Sequence, residues 1–248
     1  NIQIAESEAL ISISGGDARK LLNLLELVVN TLDEKEEIVI SNEMVQQIAQ
    51  NKIALYDKNG EQHYDIISAF IKSMRGSDPN AAVYWLARMI AGGEDVKFIA
   101  RRMIIFASED IGNANPNALL LANATFESVI KIGYPEARII LSQCAIYLAT
   151  SVKSNASYMA IETALSLVKT YGDLPVPLAI RNAPTSLMKK IDYGKGYQYD
   201  HNEKMNFAGQ EFLPDEISAT AIYQPGSNSK EDELRKFLKL RWKEKYNY

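Results

Sequence analysis

Apolar positions recur at three- and four-residue spacing along most of the chain, a period that predicts helices rather than strands. Leu21, Leu22, Leu24, Leu25, Val28 and Val29 supply a broad apolar face behind Asp17, a good N-cap residue. Residues 4–13 (IAESEALISI) predict a short helix ended by Gly15–Gly16. A short extended piece is predicted at 38–40. Ser41 then caps a helix with Glu43 in its first turn and Val45, Ile48 and Ala49 on one side. The polar stretch YDKNGEQ (56–62), with the turn dipeptide Asn59–Gly60, marks a domain boundary.

Beyond it the helices are regularly punctuated. Ile66, Ile67, Phe70, Ile71 and Met74 predict one over 65–75. Asp78–Pro79 opens the next and Gly92–Gly93 closes it. Residues 94–107 follow. Asn115–Pro116 repeats the cap-plus-proline device for a helix ended by Gly133. Pro135 starts another to about Thr150, and Ser154 or Asn155 caps one ending at Gly172. Helices of ~11–16 residues with short loops predict an antiparallel helical domain. From LPVPLAIRNAPTS onward, prolines at 175, 177, 184 and 214 and the segment YGKGYQYDH predict an irregular tail wrapping over the helices. The terminal SKEDELRKFLKLRWKEKYNY returns to helix, acids first and bases last, with Leu234, Phe237, Leu238 and Trp242 as its stripe.

Composition narrows the class. Of 248 residues, 47% are hydrophobic, enough for a sizeable core, in one large domain or two to three small ones. A net charge of −4 supplies no global field for nucleic acid or an anionic membrane. A single cysteine, Cys144, excludes an internal disulfide framework and fits a reducing compartment. No apolar run reaches membrane-spanning length, and no signal peptide is visible. The chain starts at Asn1 without methionine, as an internal fragment of something longer would.

Few residues carry a chemical signature. There is no GxxxxGK[ST] phosphate loop. LELVVNTLDE (25–34) imitates a strand ending in a Mg²⁺-binding carboxylate pair, but it continues the helical period from Leu21. His63 and His201 lie far apart in polar loops, with no cysteine pair near either and no converging ligands for a metal. Cys144 reads as a packed small hydrophobe. Glu109 and Asp110 are adjacent, so on a helix they do not face each other, and a structural or interface role is favoured over catalysis. Lys189, Lys190 and Lys195, with Arg181 and interleaved tyrosines, form a base-and-aromatic stretch that can grip single-stranded nucleic acid, although in so acidic a chain a solvated face with buried aromatic anchors is the favoured reading. Lys236, Lys239, Arg241, Lys243 and Lys245 form a second basic stretch. Arg19 sits in a helix first turn, where the dipole disfavours a cation unless an anion from elsewhere offsets it.

GGDARKLLNLLE resembles the second-sensor motif of clamp-loader-clade AAA+ ATPases, in which Gly-Asp-Ala-Arg opens a helix of the small lid domain. SDPNAAVYWLARMIAGGED with RRMIIFASEDIG, RNAPTSLMKKIDYGKGYQYDH and QEFLPDEISATAIYQPGSNSKEDEL together resemble the C-terminal region of the RarA/MgsA family, the Werner helicase-interacting protein of eukaryotes. The resemblance implies an all-α fold: a small helical AAA+ lid domain, then an antiparallel helical oligomerisation domain with an irregular C-terminal extension. The divisions fall at 1–55, 60–172 and 173–248. It implies a DNA-dependent ATPase of replication-fork maintenance and recombination, using ATP and Mg²⁺ held mainly by a core outside this chain. Arg19 would sense the ATP γ-phosphate, supported by Asp17 as helix cap. A homotetramer, single-stranded-DNA-binding protein and fork DNA are the implied partners, in the cytoplasm at the nucleoid, with no membrane. The fragment alone would neither hold ATP nor hydrolyse it. Where the family pattern expects a histidine before Leu-Arg-Asn-Ala, this chain reads PLAIRNA, so no histidine role carries over. The alternative is a helical scaffold or interaction module without nucleotide dependence. Solenoid self-similarity, its usual mark, is missing between the helices.

Overall fold

The computed structural model describes residues 2–15, 18–31, 38–57 and 60–248; the side chains of residues 19, 20, 38, 50–57 and 60–63 lie outside that description. Helix dominates, and the sheet among the described residues has two strands. The chain divides into two compact units, residues 1–70 with 87–94 and residues 71–86 with 95–248.

The first unit begins with a difference from the sequence expectation. Ile2–Ile4 is not the approach to a helix but a strand, β1, paired parallel with β2 (Ile38–Ile40), Ile2 opposite Ile38 and Ile4 opposite Ile40. Five β-branched residues among the six, Gln3 being the exception, favour the pleated ladder over an isolated turn of helix. Helix α1 starts only at Glu8 and runs to Ser14, ending on Gly15 at φ 60°, the left-handed C-cap that glycine allows. Its start is held from across the chain. Ala9 N–H donates to Asn42 Oδ1 at 2.9 Å, Asn42 Nδ2 to Glu8 Oε2 at 2.6 Å, and Asn42 N–H to Glu6 Oε2 at 2.7 Å. The Asn42 amide holds the exposed Glu8 carboxyl below its ordinary pKa. Helix α2 spans Ala18–Thr31 and α3 spans Asn42–Asp57, where Ser41 Oγ accepts from Met44 N–H at 3.3 Å as the capping pattern predicts. Ala9, Leu10, Val28, Ile40 and Val45 form the core, with Leu21, Leu24, Leu25, Val29, Met44 and Ile48 packed around it.

Helices α4 (Gly60–Arg75) and α5 (Pro79–Ala91) contribute to both units. Helix α4 starts five residues before its apolar period becomes visible. Asp78 opens α5 as expected, its Oδ1 accepting from Asn80 and Ala81 N–H at 3.0 Å each. In the second unit α6 (Val96–Phe106) packs on α7 (Asn117–Ile132), and α7 on α8 (Ala137–Thr150). Ile99, Met103, Phe106, Leu141 and Leu148 are buried there. Helix α9 spans Ala156–Tyr171.

Asn115 departs from its expected role as a side-chain cap. Its Nδ2 donates to Tyr147 Oη at 3.0 Å and Ser151 Oγ at 3.2 Å, tying the start of α7 to the end of α8. The cap bond that forms comes from its main chain, Ala118 N–H donating to Asn115 O at 3.0 Å.

The tail is largely irregular, with short turns, a small helix α10 (Ser186–Lys190) and the terminal helix α11 (Ser229–Trp242). Trp242 meets Phe207 and Tyr246 edge-on, at ring centroids of 5.0 and 5.2 Å. Lys245 Nζ lies 4.6 Å from the Trp242 ring centroid and 2.9 Å from Glu211 Oε2. The predicted α11 stripe is corrected at Phe237. That ring is half exposed, covered by the Arg241 guanidinium at 3.6 Å rather than by the core.

Candidate functional site

Arg19 is the second residue of α2, and Ala18 opens that helix. Asp17, the Arg19 side chain, the Asn59 turn position, Asp33, Glu34 and the His63 side chain lie outside the described parts of the chain. What is placed around Arg19 is its platform. The left-handed Gly15 reverses the chain, and the Asn42 network fixes α1 against the β2–α3 junction. Leu22, one turn after Arg19, and Ile11 are exposed.

The acidic pair is brought to one partner. After α6 the chain widens into a π-type turn, Ala107–Ile111, followed by a 3₁₀ turn, Gly112–Ala114. Arg75 grips Asp110 with two prongs, Nε at 2.5 Å and Nη2 at 3.0 Å, and Nη2 lies 3.6 Å from Glu109 Oε1. The Asp110 hydrogen bond raises the Arg75 pKa. Helical spacing would have separated the two carboxylates; the wider turn and one long guanidinium unite them in an ion pair. Gly112 is required here. Its φ is +49°, and a Cβ would stand 2.7 Å from Ser157 Oγ and 3.3 Å from Ser154 O. Lys153, half-buried, closes the junction, its Nζ donating to Ser151 O at 2.6 Å and Ala149 O at 2.8 Å. Burial lowers its pKa.

An apolar groove of about 700 Å³ runs beside this junction, walled by Ile104, Ile105, Leu119, Tyr158 and Ile161, with Glu109 as its charged member. Tyr158, Ile161, Leu165 and Val168 leave a row of apolar surface along α9, with Ile161 53% and Leu165 56% exposed.

The basic stretches divide. Arg181 is a structural residue first. Its Nε donates to Val176 O at 2.6 Å, its Nη1 to Tyr193 Oη at 3.1 Å, and its guanidinium stacks on the Tyr193 ring at 5.0 Å. Lys189 and Lys190 are exposed in the last turn of α10. Lys195, also exposed, pairs with Asp192 at 3.1 Å. Of the terminal basic stretch, Lys245 is held by Glu211, while Lys236, Lys239 and Lys243 are exposed.

Sequence also did not single out one buried carboxyl. Glu231 in the first turn of α11 is wholly buried. It accepts from Asn228 Nδ2 at 2.5 Å and Tyr223 Oη at 3.4 Å, and its own N–H donates to Asn228 Oδ1 at 3.0 Å. The Asn-x-x-Glu spacing is a capping-box signature, and could have marked it. Cys144 is buried, and burial pushes its thiol pKa up to about 11, so it is inert at neutral pH. His201 is exposed beside Tyr199. Among the described residues no group of three or more His, Cys, Asp or Glu is placed to hold a metal ion, and no helix is long and apolar enough to cross a membrane.

Comparison with known proteins accounts for both units. The family described as "AAA C-terminal domain" matches residues 1–75. Replication-associated recombination protein A of Coxiella burnetii is 42% identical over 96% of this chain and 53% of its own length. The protein of the same name from Escherichia coli K12 is 40% identical over 94% of this chain and 53% of its own. A Dictyostelium discoideum protein named ATPase WRNIP1 is 36% identical over 88% of this chain and 27% of its own. The chain thus spans about half the length of the bacterial relatives it matches. With the family described as "MgsA AAA+ ATPase C terminal" matching residues 76–242, the all-α chain belongs to the MgsA AAA+ ATPase C-terminal family.

Proposed function

We propose that this chain is the C-terminal part of a DNA-dependent AAA+ ATPase that maintains replication forks and acts in replication-associated recombination. The observation that carries it is the order of the two family matches, an AAA C-terminal domain at 1–75 followed directly by the MgsA C-terminal region at 76–242. The names of the bacterial relatives support the process.

Within that function, residues 1–55 serve as the ATP-sensing lid, 60–172 as the oligomerisation domain and 173–248 as a segment packed on it. ATP and Mg²⁺ belong to the whole protein, bound mainly by a core outside this chain. Arg19 meets the γ-phosphate, where a planar fork of donors suits phosphate oxygens, and Asp17 caps the helix beneath it. The exposed Leu22 and Ile11 support a lid whose open surface closes on another domain. The groove and the α9 row support assembly into a homotetramer. Single-stranded-DNA-binding protein and fork DNA are the partners, with Lys189, Lys190 and Lys195 as DNA contacts, and the setting is the nucleoid of the cytoplasm. This chain by itself neither holds ATP tightly nor turns it over.

The test is Arg19→Ala in the full-length protein. ATP hydrolysis should fall strongly, by up to ~10³-fold if the arginine stabilises the transition state and less if it mainly senses. The fold and assembly should persist, because a first-turn surface arginine adds little stability. Arg19→Lys should rescue only in part. Hydrolysis by Arg19→Ala at the unsubstituted rate would overturn the role of Arg19.

A further inference from the structure

We infer that the tail carries a base-stacking pocket for single-stranded DNA, formed where residues 179–183, Gly194, Tyr197 and Phe212 enclose one cavity. It deepens the proposal above that the protein works at DNA, and rests on it for the choice of nucleic acid.

The cavity measures about 490 Å³, within the about 300–1,000 Å³ typical of ligand clefts. Its lining is more polar than apolar, unlike the groove beside α9. Two aromatic residues in the lining are nevertheless about half exposed, Tyr197 at 48% and Phe212 at 42%, with the Phe212 ring edge-on to Trp242 at 6.3 Å. That leaves part of the aromatic surface open to a ligand, Tyr197 most of all. It suits a ligand that is flat, aromatic and polar at its edges, which describes a nucleobase. Asn182, also in the lining, offers an amide able to donate and accept at such an edge.

The charge nearby suits the rest of a nucleotide. Residues 181–195 hold four bases (Arg181, Lys189, Lys190, Lys195) against one acid, Asp192, in a chain whose net charge is −4. Arg181 lines the cavity, and its guanidinium is fixed by Val176 O and the Tyr193 ring. Those bonds use Nε and Nη1, so Nη2 keeps donors for a phosphate. Lys195 lies two residues from Tyr197, and its exposed pair with Asp192 is the kind that yields readily to a competing anion. Tyr199, 55% exposed, continues the aromatic series for a neighbouring base. Stacking supplies grip without sequence preference, because every base has a π-face.

The experiment is fluorescence anisotropy of a labelled dT20 with the complete 248-residue chain, without nucleotide, over a salt series. A dT20-length abasic oligonucleotide of equal charge is the second probe. The unsubstituted chain should bind dT20 on the order of tenfold tighter than the abasic strand. Tyr197→Ala should erase that difference, Tyr197→Phe should keep it, and Lys195→Gln should reduce the logarithmic salt slope by about 0.7. If Tyr197→Ala unfolds, the dT20-to-abasic ratio of the unsubstituted chain and the Lys195→Gln slope decide. Equal binding of dT20 and abasic strand, or Tyr197→Ala binding as the unsubstituted chain does, overturns the pocket while leaving lysine contacts to DNA standing. Absence of binding to either strand overturns both, and leaves the ATPase role of Arg19 to its own test.

Discussion

At the scale of single residues, partners far along the chain outweigh local patterns. Asn115 and Arg75 are the clearest cases, and Glu231 is the local counterpart, with partners three and eight residues away. A carboxyl group without solvent exposure persists because Asn228 and Tyr223 satisfy it, and it lies where α11 joins the tail. Glu231→Ala would strand both donors and open a void, and should cost about 2–4 kcal/mol in chemical denaturation. Glu231→Gln, which keeps the volume, should cost less. A loss under about 0.5 kcal/mol for the alanine variant would mean the network contributes nothing net. Asp78 and Ser41 were legible as caps because their acceptors sit two or three residues from their donors. Asn115 was not, since Tyr147 and Ser151 lie 32 and 36 residues away. Glu109 and Asp110 were legible as structural, but their shared partner Arg75 was not, because the π-type turn breaks the helical spacing that sequence reasoning assumes.

At the scale of elements, long amphipathic helices announced themselves and short ones did not. Helices α5 to α9 carry caps, prolines and glycines at their ends. Strand β2 was legible as the extended piece at 38–40, whereas β1, also of three residues, gains its identity only by pairing across 36 positions. The tail shows how such elements are fastened. Glu211 has its carboxyl pKa held down to about 2: burial opposes the shift, but bonds from Lys245, Ser218 Oγ and Leu213 N–H outweigh it. A carboxyl lowered on folding stabilises above its ordinary pKa, near 4.5, and loses that contribution as pH falls toward 2. The Trp242 fluorescence of the docked tail should therefore change between about pH 4.5 and 2 before the core unfolds, with about 1–2 kcal/mol at stake after solvent screening. Glu211→Gln should flatten that transition. An unaltered transition in the variant would assign it to other carboxylates.

At the scale of the whole molecule, the question is what covers apolar surface that the chain leaves open. Tyr158, Ile161, Leu165 and Val168 on α9, with Ile105 and Leu119 beside the groove, expose more contiguous aliphatic and aromatic side chain than a lone chain of this size needs to. Apolar surface of that extent is the usual mark of association, and like subunits usually close into symmetric assemblies. For the proposed tetramer, light scattering after gel filtration should give about four times 27.7 kDa. Leu165→Glu then asks whether α9 is the contact. The side chain is 56% exposed, so a charge there leaves the single chain folded; its cost appears only where a second copy would bury it. The variant should keep its helical circular dichroism and fall to a lower mass. A tetramer undisturbed by Leu165→Glu would move the interface off α9. A monomeric mass for the unsubstituted chain at every concentration would remove the tetramer itself, leaving the groove to a partner of another kind.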